Sequence, residues 1–454
     1  MKANLIATET LKFTKRGSTA AIVSAAVKTL GHLTGFALLQ GRWLPGSLSV
    51  RGTLIFLEPI AACVGPEELD LVIQSCADLK LHAVPFACGF VTYEYLHRIE
   101  PTLAPRFNEE LSPFLFRLYR RVILIPDDPR LEATCFTLEY AEKTEALWHA
   151  QDSRMILNPE VDGSKPASGS LLDVAVLQDR LASYSNFTVS EYKAAVETVR
   201  QLIYQGEVYQ INFTQRFRLP IAGTATDFWL KLAAFTAPAY GAFLRVSPEC
   251  AIASASPELF LDRGGRIISA SPIKGTRPRA PHAEEDQRLV RELHGSVKDR
   301  AELAMIVDLI RNDLGRIAEV GSVRVKEHAR IESLSYVHQL VSDISATLLS
   351  GRSFTQILAA LFPCGSITGA PKIAAMRNIT SLERCARGIY TGGIGYLATN
   401  GDFRLNVAIR TAVVNSSTVT FSAGGGIVWE SDPQEEYCES LAKAAGLGPA
   451  LDWS

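Results

Sequence analysis

Four acidic residues fall at matched spacings on two stretches of the chain. Asp299 and Glu302 are three apart in KDRAELAMIVDLIRNDLGR, and Glu436 and Glu439 are three apart near the end. On a helix a separation of three puts both side chains on one face. Lys443, seven after Glu436, shares that face. Carboxylates gathered at one point repel one another unless a cation sits among them. Oxygen donors without histidine favour a hard ion, Mg²⁺ before Zn²⁺. The same spacings also describe two solvated helix faces.

Lys274 stands in SPIKGTRPR (271–279), between a strand-like run and a Gly-Thr turn. Buried, a lysine loses enough basicity to act as a nucleophile; exposed, it is an ordinary surface charge. Glu258, in Ser256-Pro-Glu, ends another strand-like run. An apolar setting would hold its proton to higher pH and make it a general acid, whereas a wet strand end would make it a surface residue. Gly424, Gly425 and Gly426 follow Ser422-Ala423. Successive N–H groups without side-chain cover cradle an anion such as a carboxylate, or simply form a bulge. The run is no GxGxxG fingerprint, and the chain has no GxxxxGK[ST] loop. Arg410, in NVAIRT (406–411), points away from Ile409 and Thr411 if the segment is a strand. An arginine on the cavity side would grip a carboxylate in two places; on the other side it would be a surface ion pair.

These residues need positioning elements. Val189 to Tyr204 carries apolar positions Tyr192, Val196, Val199, Leu202 and Ile203 at helical spacing. A strand follows near Val208 to Phe217. The runs AFLRV, AIASA and LFLDR-GG-RIISAS read as hairpins, with Gly264 and Gly265 in a tight turn. Asp286 to Gly315 is a long helical stretch with room for a break. Strands are expected at Ile394 to Leu397, Phe403 to Val414 and Thr418 to Phe421. The last helix spans Asp432 to Gly446, capped by Ser431 or Asp432 and closed by Gly446. Earlier, TLIFLEP, RRVILIP and TCFTLEY look like strands and Glu67 to Leu81 like a helix. Without regular βαβ alternation the pattern argues for an α+β fold of packed antiparallel sheets flanked by helices.

At 454 residues the chain has length for roughly three domains at ~150 residues each. Its clearest divide is the Pro-, Gly- and Ser-rich PEVDGSKPASG (159–169). That gives an N-terminal region 1–158, a linker-like stretch 159–172 and a chemistry-bearing region 173–454, packed as one unit. A net charge of −2 excludes a field directed at nucleic acid or an anionic membrane. The beginning lacks the apolar core of a signal peptide. Lys28, His32 and two glycines interrupt the apolar stretch Ala20 to Leu39, against a membrane span. Eight cysteines include no CxxC pair, so neither a thiolate metal site nor a redox motif is expected. A cytoplasmic metabolic protein fits these features.

The motifs, in their order, resemble one family, the chorismate-utilising enzymes that include the large subunits of anthranilate and aminodeoxychorismate synthases. EYKAAVETVRQLIYQGEVYQINFTQRF (191–217) is similar to the family's opening helix and strand. SPELF (256–260), SPIKGTRPR, KDRAELAMIVDLIRNDLGR (298–316), FPCGSITGAPK (362–372), RGIYTGGIGY (387–396), NVAIRT and AGGGIVWESDPQEEY (423–437) follow. The likeness spans roughly 186 to 447; before that, PFACGFVTYEY (85–95) is its best segment.

The resemblance implies roles. Glu302 and Glu439 would bind Mg²⁺ directly, with Asp299 and Glu436 behind them, and the ion would hold the ring carboxylate of chorismate. Arg410 and Tyr390 would bind the enolpyruvyl carboxylate. Gly275, Thr276, Gly424 to Gly426 and Lys443 would line the remaining substrate contacts. Relatives that add water carry Lys where this chain has Gln210, so that reaction loses its base here. Relatives that aminate C2 usually read PIAGT where this chain reads PIKGT. Lys274 would attack C2 with loss of the C4 hydroxyl, protonated by Glu258. Ammonia would then add at C4, giving 4-amino-4-deoxychorismate for 4-aminobenzoate and folate synthesis. No glutaminase signature appears, so a separate glutamine amidotransferase subunit would deliver the ammonia; with one helix after Asp432, no fused lyase is expected.

Two departures stand out. The family's usual His before Leu-Val-Ser is Gln339 here, preceded by His338; in a strand the two face opposite ways. The run ALLQGRW (37–43) replaces a Leu-rich strand near which related chains bind tryptophan. The rival readings are anthranilate synthase, isochorismate synthase and a non-catalytic tryptophan-binding subunit. Retained Lys274, Glu302 and Glu439 argue against the last.

Overall fold

A computed structural model describes residues 5–13, 18–46, 50–76, 83–108, 110–128, 130–140, 174–334 and 337–451. The linker-like stretch lies outside them. The expected α+β architecture is what the chain adopts: antiparallel strands joined into one branched sheet, with helices packed against it. The branch point is Phe114–Pro126. One of its edges pairs with Gly52–Cys63. The other pairs with Pro85–Val91 through its first residues and with Ala133–Tyr140 further on.

From Gly52–Cys63 one arm continues through Ala37–Gly41, Tyr240–Ser247, Cys250–Ser256, Thr411–Asn415, Thr418–Ile427 and Gln210–Pro220. From Pro85–Val91 the other runs through Gly393–Ala398, Phe403–Val407, Leu259–Gly264, Ile267–Ser271 and Val337–Thr347. Ile273–Pro278 and Arg324–Ser333 flank that last strand. Both arms therefore begin with strands from the first 126 residues and continue with strands from residue 210 onward. Two apolar cores fill the layers. One holds Trp43, Phe86, Phe114 and Leu303, the other Tyr192, Phe213, Trp229 and Leu441.

Local signals explain the helices. Val189–Tyr204 begins at Thr188, whose hydroxyl and the Glu191 carboxylate form a reciprocal capping box, and it buries Tyr192, Val196 and Val199. The long acidic stretch is indeed broken, into Ala283–Gly295 and Val297–Gly315. Ser296 makes the break: its hydroxyl accepts from the amide of Asp299 at 3.2 Å and starts a second helix in a new direction. Asp432, not Ser431, caps Pro433–Ala445, accepting from the amides of Gln434 and Glu435. The helix expected from Glu67 is Pro66–Cys76, and residues 77–82 lie outside the described chain.

The apolar stretch from Ala20 is a short helix, Thr19–Leu30, followed by the strand Ala37–Gly41. Among the described residues no helix is long and apolar enough to cross a membrane. The single strand expected over Phe403 to Val414 is two, Phe403–Val407 and Thr411–Asn415, with Arg410 in the bend at φ 48°. Strand alternation therefore does not set the direction of Arg410. The left-handed backbone does, at a conformation that costs a non-glycine residue about 1 kcal/mol or more.

Candidate active site

Two helices, two strands and one strand connection carry most of the candidate residues. The Val297–Gly315 helix carries Asp299 and Glu302, and the Pro433–Ala445 helix carries Glu436, Glu439 and Lys443. Between them the strand Thr418–Ile427 supplies the glycines and Ile273–Pro278 supplies Lys274. Glu258 lies between Cys250–Ser256 and Leu259–Gly264.

The glycines leave room for functional side chains. A Cβ on Gly426 would stand 2.1 Å from Gln210 Nε2 and 3.5 Å from Lys274 Nζ. A Cβ on Gly425 would stand 2.9 Å from Glu436 Oε2, 3.6 Å from Glu439 Oε1 and 3.7 Å from Lys443 Nζ. The lysine and the amide thus lie against one bare glycine of the strand, and the acidic groups with Lys443 against the next. Gly424 differs. Its absent side chain would collide with Phe213 O at 2.0 Å on the neighbouring strand, so its bareness serves sheet packing. Its carbonyl accepts from Lys443 Nζ at 3.0 Å.

Lys274 is half-buried, within electrostatic reach of Glu258, Glu302 and Glu439. Glu258 is buried, and Ser366 Oγ donates to its Oε1 at 2.7 Å. Burial pushes the Glu258 carboxyl up to about 7, against the downward pull of that hydrogen bond and of Lys274. A carboxyl so placed holds a proton near neutrality and can donate it.

The acidic cluster is held by basic groups. Asp299 pairs with Arg277 at 3.3 Å, Glu439 with Lys443 at 2.6 Å, and Glu436 faces Lys298 at 4.0 Å. Glu436 Oε1 also accepts from Ser431 at 2.6 Å. Burial raises the Glu302 carboxyl, and Glu439 and Asp299 add to the rise by repulsion, while Lys274 and Lys298 oppose it. Burial likewise raises Glu436, whereas neighbouring Lys443 holds Glu439 below its ordinary range. Among the described residues no three acidic groups converge tightly enough to form a ready cage. The donors nevertheless fit Mg²⁺: they are oxygens only, and their mutual repulsion is what a divalent cation relieves.

The other expected contacts lie around these glycines. Gly275, at φ 71°, packs its bare Cα against Asp299, where a Cβ would come within 2.9 Å. Thr276 is exposed. Tyr390 is buried and its phenol is raised by burial. Arg410 is half-buried, its carbonyl accepting from Ala255 at 2.9 Å. His338 and Gln339 part as strand neighbours do. The His338 ring bonds Ser333 Oγ at 2.7 Å and Asp286 at 2.9 Å. Gln339 Oε1 and Gln210 Oε1 are buried without a hydrogen-bond partner among the described residues.

At the ALLQGRW segment, Trp43 itself is fully buried. Its indole N–H donates to Gly241 O at 2.8 Å, and Tyr240 meets it edge-on at 5.6 Å.

Three participants escaped the sequence reading. Ser366 lies in the quoted FPCGSITGAPK, but only the fold shows its partner. Lys298 stands beside Asp299 in the sequence, but only the fold brings it to Glu436. Arg387, buried, donates to Glu383 at 2.7 Å and to Asn212 O at 2.6 Å, tying the strand that bears Gln210 to the Tyr390 segment.

Fold and site define an α+β enzyme with the architecture of anthranilate synthase component I. The solved structure of that protein from Streptococcus pneumoniae TIGR4 superposes with a TM-score of 0.67 at 27% identity, covering 97% of this chain and 92% of that one. Aminodeoxychorismate synthase component 1 of Bacillus subtilis (strain 168) is 39% identical over 378 residues, 81% of this chain and 77% of that protein. Anthranilate synthase component 1 of Cereibacter sphaeroides is 36% identical over 397 residues, 84% of this chain and 77% of its own. The family model described as chorismate binding enzyme matches residues 66–448. The chain belongs to the chorismate-binding enzyme family, and its substrate is chorismate.

Proposed function

We propose that the protein is the chorismate-aminating component of a two-component aminodeoxychorismate synthase, a cytoplasmic enzyme of 4-aminobenzoate and folate synthesis. The observation that carries this reading is Lys274 against Gly426, in reach of the buried acid Glu258. Relatives named for C4 amination and for C2 amination both match the chain, so the assignment rests on that lysine.

The Lys274 amine forms a bond to C2 of chorismate. The ring double bond shifts, the C4–O bond breaks, and Glu258 gives its proton to the departing hydroxyl, which leaves as water. Ammonia then bonds to C4, the double bond returns, and the C2–N bond breaks. The lysine leaves as an amine, and the proton lost by nitrogen restores Glu258. The product is 4-amino-4-deoxychorismate. Mg²⁺, held by Glu302 and Glu439 with Glu436 and Asp299 behind them, would neutralise the ring carboxylate. Arg410 and Tyr390 would hold the side-chain carboxylate. Gly275, Thr276, Gly425, Gly426 and Lys443 would complete the pocket, with Gly424 contributing through its carbonyl to Lys443. The ammonia would come from a separate glutamine amidotransferase subunit. The region 173–454 would carry the chemistry and 1–158 would complete the sheet.

Product identification with chorismate, Mg²⁺ and ammonium tests the reading. 4-Aminobenzoate appearing only after a lyase is added supports it. Fluorescent anthranilate forming directly, or isochorismate forming without ammonium, overturns it. Lys274→Ala should abolish C4 amination or divert ammonia to C2; an unchanged product at an unchanged rate would remove the covalent step.

A further inference from the structure

Lys298 has no part in the chemistry above, yet it stands among the acidic groups. It occupies the first turn of the Val297–Gly315 helix, one residue before Asp299 and four before Glu302. Its ammonium reaches across to the other acidic helix, 4.0 Å from Glu436 Oε1. The two ends differ sharply in setting: the Lys298 side chain is 52% exposed, the Glu436 side chain 4%. Glu436 is already hydrogen-bonded by Ser431 through that same oxygen, so Lys298 is not needed to satisfy it. An exposed lysine facing a buried carboxylate at this distance is weakly held, and its stem can swing the charge into water at little cost. The charge is felt throughout the cluster. Glu302, Glu436 and Glu439 all lie within its electrostatic reach.

We propose that Lys298 is a displaceable counter-cation of the metal site, spanning the two acidic helices until a divalent ion takes its place and thereby setting the affinity for that ion. The inference rests on the Mg²⁺ reading above. A monovalent ammonium ready to leave offsets part of the negative charge that the two acidic helices bring together. A divalent ion that enters must displace it or bind against its repulsion, so Lys298 weakens metal binding. Arg277 on Asp299 and Lys443 on Glu439 are less suited to this role. Arg277 is more buried and also tied to Glu292, and Lys443 donates to Gly424 O as well as to Glu439.

The test is Mn²⁺ binding to the full chain without substrate, followed by the electron paramagnetic resonance of the free ion. Lys298→Gln should bind Mn²⁺ roughly threefold to tenfold more tightly than wild type, the range expected for removing one exposed charge next to a divalent ion. Lys298→Arg, which keeps the charge, should stay near wild type, and added salt should narrow the gap between Gln and wild type. Equal or weaker binding by Lys298→Gln, with thermal unfolding unchanged, would overturn the proposal. Glu302→Gln in the same titration reports on the site itself. If it binds Mn²⁺ like wild type, the metal assignment fails, whatever Lys298 does.

Discussion

Ser366 Oγ donates a 2.7 Å hydrogen bond to Oε1 of Glu258, joining two segments 108 residues apart in the chain. The bond stabilises the ionised carboxylate and so lowers its pKa, against a burial effect that lifts it to about 7. The proposed reaction needs Glu258 protonated when the C4 oxygen leaves. Activity should therefore fall as pH rises through about 7. Ser366→Ala removes the opposing hydrogen bond, and that alkaline limb should move to higher pH. The pH profile of single-turnover rate decides this. A limb that stays in place would show that another group controls it.

The same carboxyl links stability to pH. Glu258 has a folded pKa of about 7 against an ordinary value of 4.5, so between these pH values the native state holds a proton that the unfolded chain has released. Stability from this group is full below about 4.5 and is lost as pH rises through 7. At pH 8 the cost is on the order of 3 kcal/mol, from ~1.4 kcal/mol per pKa unit. Glu258→Gln should accordingly gain stability over wild type at pH 8 and little at pH 5, while losing roughly 10²–10⁴-fold in rate. Urea unfolding at both pH values measures the first, steady-state kinetics the second.

The glycine strip makes two separable predictions. Gly425→Ala puts a methyl group 2.9 Å from Glu436 Oε2, on the acidic side. Gly426→Ala puts one 2.1 Å from Gln210 Nε2 and 3.5 Å from Lys274 Nζ, on the lysine side. Gly425→Ala should raise the Mg²⁺ concentration needed for half-maximal rate. Gly426→Ala should lower kcat with a smaller change in metal requirement. Measuring rate against Mg²⁺ for both variants separates them. Identical behaviour would mean that the strip does not divide in this way.

How much of this was legible in the sequence depends on the range of the forces involved. The Val189–Tyr204 helix was readable because its apolar stripe is local. The branched sheet was not. Ala37–Gly41 pairs with Tyr240–Ser247, and nothing in an alternating strand names its partner two hundred residues away. Arg410 shows a local failure: the left-handed bend that aims it occurs in a non-glycine residue, where pattern reading assumes extended chain. The candidate site was legible in residue types and order, through motif resemblance. Its electrostatics were not, because Lys298 facing Glu436 and Ser366 bonding Glu258 exist only once distant segments meet.

The most demanding structural test concerns Arg387 and Glu383. Both are buried, and they share two hydrogen bonds, Nη2 to Oε1 at 2.7 Å and Nε to Oε2 at 2.9 Å. Arg387 also donates to Ile367 O and Asn212 O, and Glu383 accepts from the amide and hydroxyl of Thr214. The pair therefore fixes the strand that carries Gln210 against the segment that carries Tyr390. Burying two charges is expensive, but removing one partner is worse, because the other is left uncompensated at about 3–5 kcal/mol. Arg387→Met should thus destabilise by that amount, and Glu383→Gln by less, since the amide still accepts from Thr214. In Arg387→Met/Glu383→Gln the loss should be smaller than the sum of the two single losses, because neither charge is left alone. Chemical denaturation of the four proteins closes the cycle. Strict additivity would mean that the two side chains act independently and that the strand is held in register by its backbone ladder alone.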